Sequence, residues 1–407
     1  MKKITYFIII MCLFAGCSSN PVSSLENWLA KPVSERGNIE EKKFAKQALS
    51  KQDSEKAIEL LKAEWLKQVK EKNASAWEEK VFTKDSLKMK FDYKIFGDEP
   101  ADGRSLFISM HGGGNTSDRM NDGQWRNQVR LYSPKEGVYL APRAPWNDWN
   151  MWFKEGLDAL FDAVISTAVV MENVNPDKVY IMGYSAGGDG AYRIGPRMAD
   201  RWAAGAMMAG HPGEVSMVNL RNTPYCIWMG ADDAAYGRNE LAAVFGAQLD
   251  SLQKDDPKGY IHETHILEGK GHWMQREDSV AVEWMAQFKR NPKPDKIVWR
   301  QEHVTLPNLY WLSVPVESAK PAMEVRVNRS DNTVNILRND YDHLTIHLND
   351  EMFDLDNPII IKYNDNELFN GKVERKISNI SKSLSTKGDI RYIFPAQLTV
   401  INNESIE

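Results

Sequence analysis

At 407 residues, with 42% hydrophobic and 26% charged side chains, the chain has the balance of an ordinary globular protein and is long enough for more than one domain. A net charge of -5, with both signs mixed along the chain and no Lys/Arg cluster interleaved with aromatics, argues against a nucleic-acid surface. No Cys/His spacing suggests zinc, and neither a metal nor another cofactor is expected.

The chain begins with Lys2 and Lys3, an apolar run over 4–14, and the small-residue stretch Phe14-Ala15-Gly16-Cys17. The run is too short to cross a bilayer. This layout resembles a bacterial lipoprotein signal, with Phe14 where leucine is usual. The resemblance implies that residues 1–17 are signal peptide and lipobox and that Cys17 becomes the lipidated first residue of the mature chain. It also implies that the protein is exported and anchored by lipid to a membrane of the cell envelope, at the outer membrane or cell surface. Cys12 would leave with the signal, so Cys226 stands alone and no disulfide is expected within the mature chain.

Residues 18–80 read as a Ser-rich tether (Ser18, Ser19, Ser23, Ser24) and a helical segment. Over 39–72, Ala57, Leu60, Leu61, Trp65 and Val69 fall on one helical face, which is a packing stripe. From 81 to 290 strands alternate with helices. The spacing predicts strands over 87–95, 106–110, 138–141, from 178, 203–208, 226–229 and 261–267, with helices over 157–171 and 239–252. Such alternation predicts an α/β fold with a mostly parallel sheet covered by helices on both faces. Asn291-Pro292-Lys293-Pro294-Asp295 punctuates the chain. Over 296–407 the pattern turns to period two, as in Met323-Glu-Val-Arg-Val327 and Leu344-Thr-Ile-His-Leu348, which predicts a small antiparallel β accessory domain.

Four clusters in the α/β region carry chemistry. Gly183-Tyr184-Ser185-Ala186-Gly187 joins a strand to a helix, and its small residues suit a sharp turn that pushes a serine hydroxyl outward. Upstream, a strand runs into His111-Gly112-Gly113-Gly114-Asn115, where glycines let backbone N–H groups converge on an anionic oxygen. The Lys-Ser/Thr ending of a phosphate loop is missing. Downstream, one strand ends in Gly230-Ala231-Asp232-Asp233 and the next in Glu268-Gly-Lys-Gly-His272, placing carboxylates and one histidine at the same sheet edge. The order Ser185, Asp232 or Asp233, His272 resembles the α/β-hydrolase family over about residues 80 to 290. Within it, IMGYSAGGDGAY, SMHGGGNT and EGKGHW resemble the secreted esterases related to polyhydroxybutyrate depolymerases, feruloyl esterases and dienelactone hydrolases. The resemblance implies Ser185 as nucleophile, His272 as base, Asp233 as acid on a G-x-x-D turn, and an oxyanion hole from the backbone of Gly113, Gly114 and Ala186.

Specificity is expected from loops. Trp146, Trp149 and Trp152, among Asn147, Asp148 and Asn150, suit a flat and polar substrate wall, and Asn121-Asp-Gly-Gln-Trp125 could add to it. The expected partner is an ester, small or polymeric, with acyl esters on polysaccharide among the candidates. A serine peptidase of the prolyl-oligopeptidase type shares the machinery, although the N-terminal segment is short for that type's propeller. A non-enzymatic surface protein binding glycan through its β domain is a third class. Replacing Cys17 by alanine is expected to move the protein from the membrane to the soluble fraction without loss of specific activity, as read by fractionation and assay.

Overall fold

The computed structural model describes residues 20–407; the stretch read as signal and lipobox, with Cys12 and Cys17, and also Ser18 and Ser19, lie outside the described residues. Helix α1 (Pro21–Leu29) opens with Pro21 at its first position, and the Asn20 side chain accepts the Val22 N–H at 2.7 Å. A short α2 (Val33–Arg36) and two 3-10 turns lead to α3 (Lys51–Glu78), capped by Ser50, whose hydroxyl accepts the Asp53 N–H at 3.1 Å. These bounds correct the sequence reading. Ser23 and Ser24 belong to a helix with Val22 and Leu25 buried, and the long helix begins at 51 because Leu49 is extended, its N–H bonded to the Arg375 carbonyl. Ala57 and Leu61 of the α3 stripe are buried with Ile377, Ile380 and Leu384 from near the other end of the chain.

The central layer contains β1 (Val81–Lys84), β2 (Leu87–Phe96), β3 (Arg104–Met110), α4 (Asp118–Gln128), β4 (Gly137–Pro142), α5 (Leu157–Met171), β5 (Val174–Tyr184), α6 (Ala186–Arg197), β6 (Ala204–Met208), β7 (Tyr225–Gly230), α7 (Arg238–Asp255), β8 (His262–Leu267) and α8 (Val280–Met285). The eight strands are ordered β1-β2-β4-β3-β5-β6-β7-β8. β1 and β2 are antiparallel and every pair from β4 to β8 is parallel. This is the α/β-hydrolase sheet. β4 and β7 are buried along their whole length because both faces are covered, which explains their unbroken apolar sequence. Leu106, Ile108, Ile181 and Ile227 pack on one face with α5 and α6, whereas Phe107, Tyr180 and Met182 pack on the other with α8. Among the described residues no helix is long and apolar enough to cross a membrane.

The last segment holds β9 (Lys296–Arg300), β10 (Asn308–Leu309), β11 (Leu312–Ser313), β12 (Glu324–Ser330), β13 (Thr333–Asn339), β14 (His343–Leu348), β15 (Ile359–Tyr363), β16 (Asn366–Gly371), α9 (Ile377–Lys387), β17 (Ala396–Ile401) and β18 (Ser405–Ile406). They form two five-stranded sheets, β10-β11-β14-β17-β18 and β16-β15-β13-β12-β9, around a shared core that includes Trp299, Tyr310 and Trp311. The expectation of a purely antiparallel domain is corrected at one pair. β14 crosses to the other sheet, so β15 returns parallel to β13.

This β sandwich docks on the eight-stranded layer through buried charge. Asp200, just after α6, accepts from Lys387 Nζ at 2.9 Å, Arg201 Nη1 at 3.2 Å and the Tyr310 N–H at 3.1 Å. Its carbonyl accepts from Arg290 and from the Tyr392 hydroxyl, and Arg290 also pairs with Asp389 at 2.7 Å and Asp177 at 2.9 Å. Burial opposes the charge on Asp200, but Lys387 and Arg201 outweigh it and hold the carboxyl at about 2. Burial also draws the Lys387 ammonium down to about 8. The two directions are compatible, since two cations share one carboxylate and the ammonium is the more easily deprotonated. Removing one member of such a cluster strands the others without compensation. Asp200→Ala is therefore expected to lower stability by roughly 3–5 kcal/mol, measured by urea unfolding at neutral pH, with partial recovery when Lys387→Met is added.

Candidate active site

The turn between β5 and α6 sets the site. Ser185 lies at φ 57° and ψ -120°, a conformation that costs an ordinary side chain on the order of 1–3 kcal/mol. Its neighbours make the turn feasible. A side-chain carbon on Gly183 would lie 2.1 Å from the Gly187 carbonyl oxygen, and one on Gly187 would lie 2.1 Å from that of Met110, so both positions admit only glycine. The Ser185 N–H donates to the Met208 carbonyl at 2.9 Å, pinning the turn to β6.

The structure brings Ser185, His272 and Asp233 together. His272 Nε2 stands 2.9 Å from Ser185 Oγ, and Nδ1 stands 2.7 Å from Asp233 Oδ2. A carboxylate can only accept here, so Nδ1 carries the proton and Nε2 is free to accept from the serine. Asp233 is buried just after β7, its N–H closing the turn onto the Gly230 carbonyl at 3.1 Å. Asp232 is exposed and reaches neither His272 nor Ser185. Tyr184, inside the serine motif, has a role that its position in sequence does not announce. Its hydroxyl donates to the His272 carbonyl at 2.7 Å and accepts the Met274 N–H at 3.0 Å, holding the histidine loop to the serine turn.

The glycine loop after β3 passes beside the serine, and Gly112 faces the Ser185 side chain. One expectation is corrected here. The Gly114 N–H donates to Asn121 Oδ1 at 2.9 Å and is occupied, whereas the amides of Gly113 and Ala186 have no acceptor among the described residues. Asn121 is buried and also donates to Asn147 Oδ1 at 2.8 Å, so it clamps the loop instead of lining a pocket. His111 is buried too. Its Nε2 accepts the Ala144 N–H at 3.2 Å, which leaves Nδ1 to donate to the Gly112 carbonyl at 2.6 Å and fixes the peptide that presents the Gly113 amide. Burial pulls the His111 imidazole down to about 4, against the opposing effect of the Gly112 carbonyl.

The tryptophan wall is reduced to one member. Trp149 is 62% exposed and lines a cleft beside Ser185. Trp152 is fully buried and donates to the His111 carbonyl at 2.8 Å, so it supports the loop from beneath. Trp146 is partly buried against the core, with the Lys154 ammonium 5.2 Å from its ring. The segment is a chain of tight turns rather than a helix, so its three indoles point in different directions. Phe153 joins Trp149, and Asp189, Arg193, His211, Tyr236 and Arg238 complete a cleft of about 420 Å³. A second cleft of about 520 Å³ meets Ser185 from the His272 side, lined by Gln124, Asn127, Arg130, Tyr184 and the half-exposed Trp273. Trp125 turns away, donating to the Ala141 carbonyl at 2.9 Å.

No protein-family model matches the chain, and no curated protein does. Among solved structures it is similar to a thermostable esterase, with 18% identity, 52% of this chain and 62% of that one covered, and a TM-score of 0.42. It is also similar to the apo form of esterase 2 of Thermogutta terrifontis, at 19% identity, 51% and 90% coverage and a TM-score of 0.37. A ferulic acid esterase matches at 15% identity, 51% and 95% coverage and a TM-score of 0.33. The strand order carries the assignment of the fold.

A pH dependence follows from His111. An unfolded chain takes up a proton on this residue near its ordinary 6.5, the folded protein only near 4, so His111 leaves stability untouched above 6.5 and lowers it as pH falls from there toward 4. Urea unfolding at several pH values is expected to show on the order of 3 kcal/mol less of this loss in His111→Asn, whose side chain does not titrate.

Proposed function

We propose that the protein is a serine hydrolase that cleaves carboxylic esters through an acyl-enzyme, exported and held at the cell envelope by a lipid on Cys17. The observation that carries the reading is the relay from Asp233 through His272 to Ser185, at 2.7 and 2.9 Å, beside two amides with no acceptor among the described residues. His272 Nε2 takes the proton as Ser185 Oγ attacks the ester carbonyl, and the carbonyl oxygen, now an anion, is received by the N–H groups of Gly113 and Ala186. The bond to the alcohol oxygen then breaks, and His272 returns its proton to that oxygen. Asp233 keeps the imidazole in the required tautomer and stabilises its charged form. Water next enters in place of the alcohol and is activated by the same histidine, releasing the acid. The sequence needs no cofactor.

Trp273, with Gln124, Asn127 and Arg130 around it, gives the His272 side a flat apolar platform edged by hydrogen-bonding groups, which supports a sugar as the alcohol and hence an acylated polysaccharide as substrate. A serine peptidase of the prolyl-oligopeptidase type would share the relay. The helical N-terminal segment, packed on α9, favours the esterase over that reading.

Ser185→Ala is expected to remove hydrolysis of nitrophenyl acetate and of acetylated or feruloylated glycans, by several orders of magnitude, with an unchanged melting curve. Asp233→Asn should lower turnover on the order of ten-thousand-fold and Asp232→Asn by tenfold at most, compared at one pH. Hydrolysis that survives the loss of Ser185 would overturn the reading.

A further inference from the structure

One side chain in the Trp149 cleft lacks what a guanidinium usually has. Arg193, on α6 two turns beyond Ser185, is only partly exposed and has neither an ion pair nor a hydrogen-bond acceptor among the described residues, and its Nε is buried without a partner. It is nevertheless held in place. Its guanidinium lies 4.4 Å from the centre of the Phe153 ring, and Gly213, at φ 61°, lets it approach so closely that a side-chain carbon there would lie 1.9 Å from Nη2. Five N–H donors fixed in a cleft and given no acceptor are a binding feature without its ligand. Arg238 adds a second positive charge to the same cleft, over the Tyr236 ring, and its Nε is likewise buried and unpartnered. Among the described residues the carboxylate lining the cleft is Asp189, and it is engaged through Oδ1 by the His211 N–H at 2.6 Å.

We propose that this cleft receives an acyl group bearing its own carboxylate, so that the preferred substrates are half-esters of dicarboxylic acids, with Arg193 holding the distal carboxylate. The inference rests on the esterase reading above. His272 lines only the opposite cleft and must protonate the departing alcohol, so the alcohol occupies that side and the acyl chain is directed toward Arg193. A carboxylate matches the planar fork of the guanidinium and satisfies the donors that the fold leaves open. Hydrolysis of such an ester releases the dicarboxylate and the alcohol.

The test compares monobenzyl succinate with benzyl butyrate, reading benzyl alcohol release, and measures equilibrium binding of succinate and butyrate by calorimetry, which needs no turnover. The wild-type protein is expected to prefer the succinate half-ester by tenfold or more in kcat/KM. That ratio should collapse toward one in Arg193→Gln, and succinate should bind at least tenfold more weakly to this variant. Arg193→Lys should keep part of the preference. Asp189→Asn, which removes the competing negative charge, should tighten succinate several-fold and keeps the proposal falsifiable should Arg193→Gln fail to fold. Arg238 is not substituted, because its Nη1 stands 3.6 Å from Asp233 Oδ1. A preference for the butyrate ester, or a ratio and a succinate affinity indifferent to Arg193, would overturn the proposal while leaving the esterase reading in place. Succinate bound through Arg193 with neither ester cleaved would instead overturn the esterase reading and support the anion site.

Discussion

A single backbone torsion, φ of 57° at Ser185, organises the candidate site on the eight-stranded layer. Holding a β-carbon in that conformation at the carboxyl end of β5 lifts the hydroxyl clear of the sheet, where His272 reaches it. It also directs the first amide of α6 toward the same space. The strain is overdetermined by its surroundings. The strand on one side, the helix on the other and the glycine loop in front approach so closely that Gly183 and Gly187 cannot carry a side chain. The Met208 carbonyl holds the turn from behind. Such conformations persist where packing fixes them, and they collect where a reactive group must be presented without freedom to relax.

Much of this was legible in the sequence because each piece is local. A strand, a tight turn and one polar residue can be read from a handful of positions, and Ser185, Asp233 and His272 each follow that grammar. What escaped reading depends on direction rather than identity. Gly114 adjoins Gly113 in the same glycine run, yet its amide is turned to Asn121, whose part shows only when the helix that bears it folds back over the loop. Trp152 resembles Trp149 in composition and context, but a series of tight turns sends one into the core and the other into solvent. Arg193 and Arg238 sit on helices, where charged residues ordinarily face water, so nothing in their spacing marks them as part of a cleft. The parallel pairing of β13 and β15 follows from β14 leaving for the other sheet, a decision made by the whole domain.

The buried charges around Asp200 give the sandwich a definite seat. Apolar surfaces can slide over one another with little penalty, whereas a carboxylate that accepts from a lysine, an arginine and a backbone amide tolerates one arrangement. Asn219 reinforces the seat by hydrogen-bonding both the carbonyl and the N–H of Arg300 at 2.8 and 2.7 Å, standing in for a neighbouring strand at the edge of β9. The orientation of the accessory domain is thus fixed by directional bonds, and its aromatic residues Trp299 and Trp311 are committed to its own interior.

The apolar cluster that joins α1 and α3 to α9 draws its members from the two ends of the chain, and Leu49 and Arg375 are bridged across it. Its kinetic meaning is a late closing event. Synthesis proceeds from the N-terminus, so Leu25, Ala57 and Leu61 emerge long before Ile377, Ile380 and Leu384 exist to cover them. Contacts between distant parts of a chain require a large loop to close and are correspondingly slow to form. Until that closure the first helices carry an uncovered apolar stripe, a surface that a holding chaperone can grasp. A polypeptide built this way cannot bury that stripe until α9 has been made, however early its first helices form.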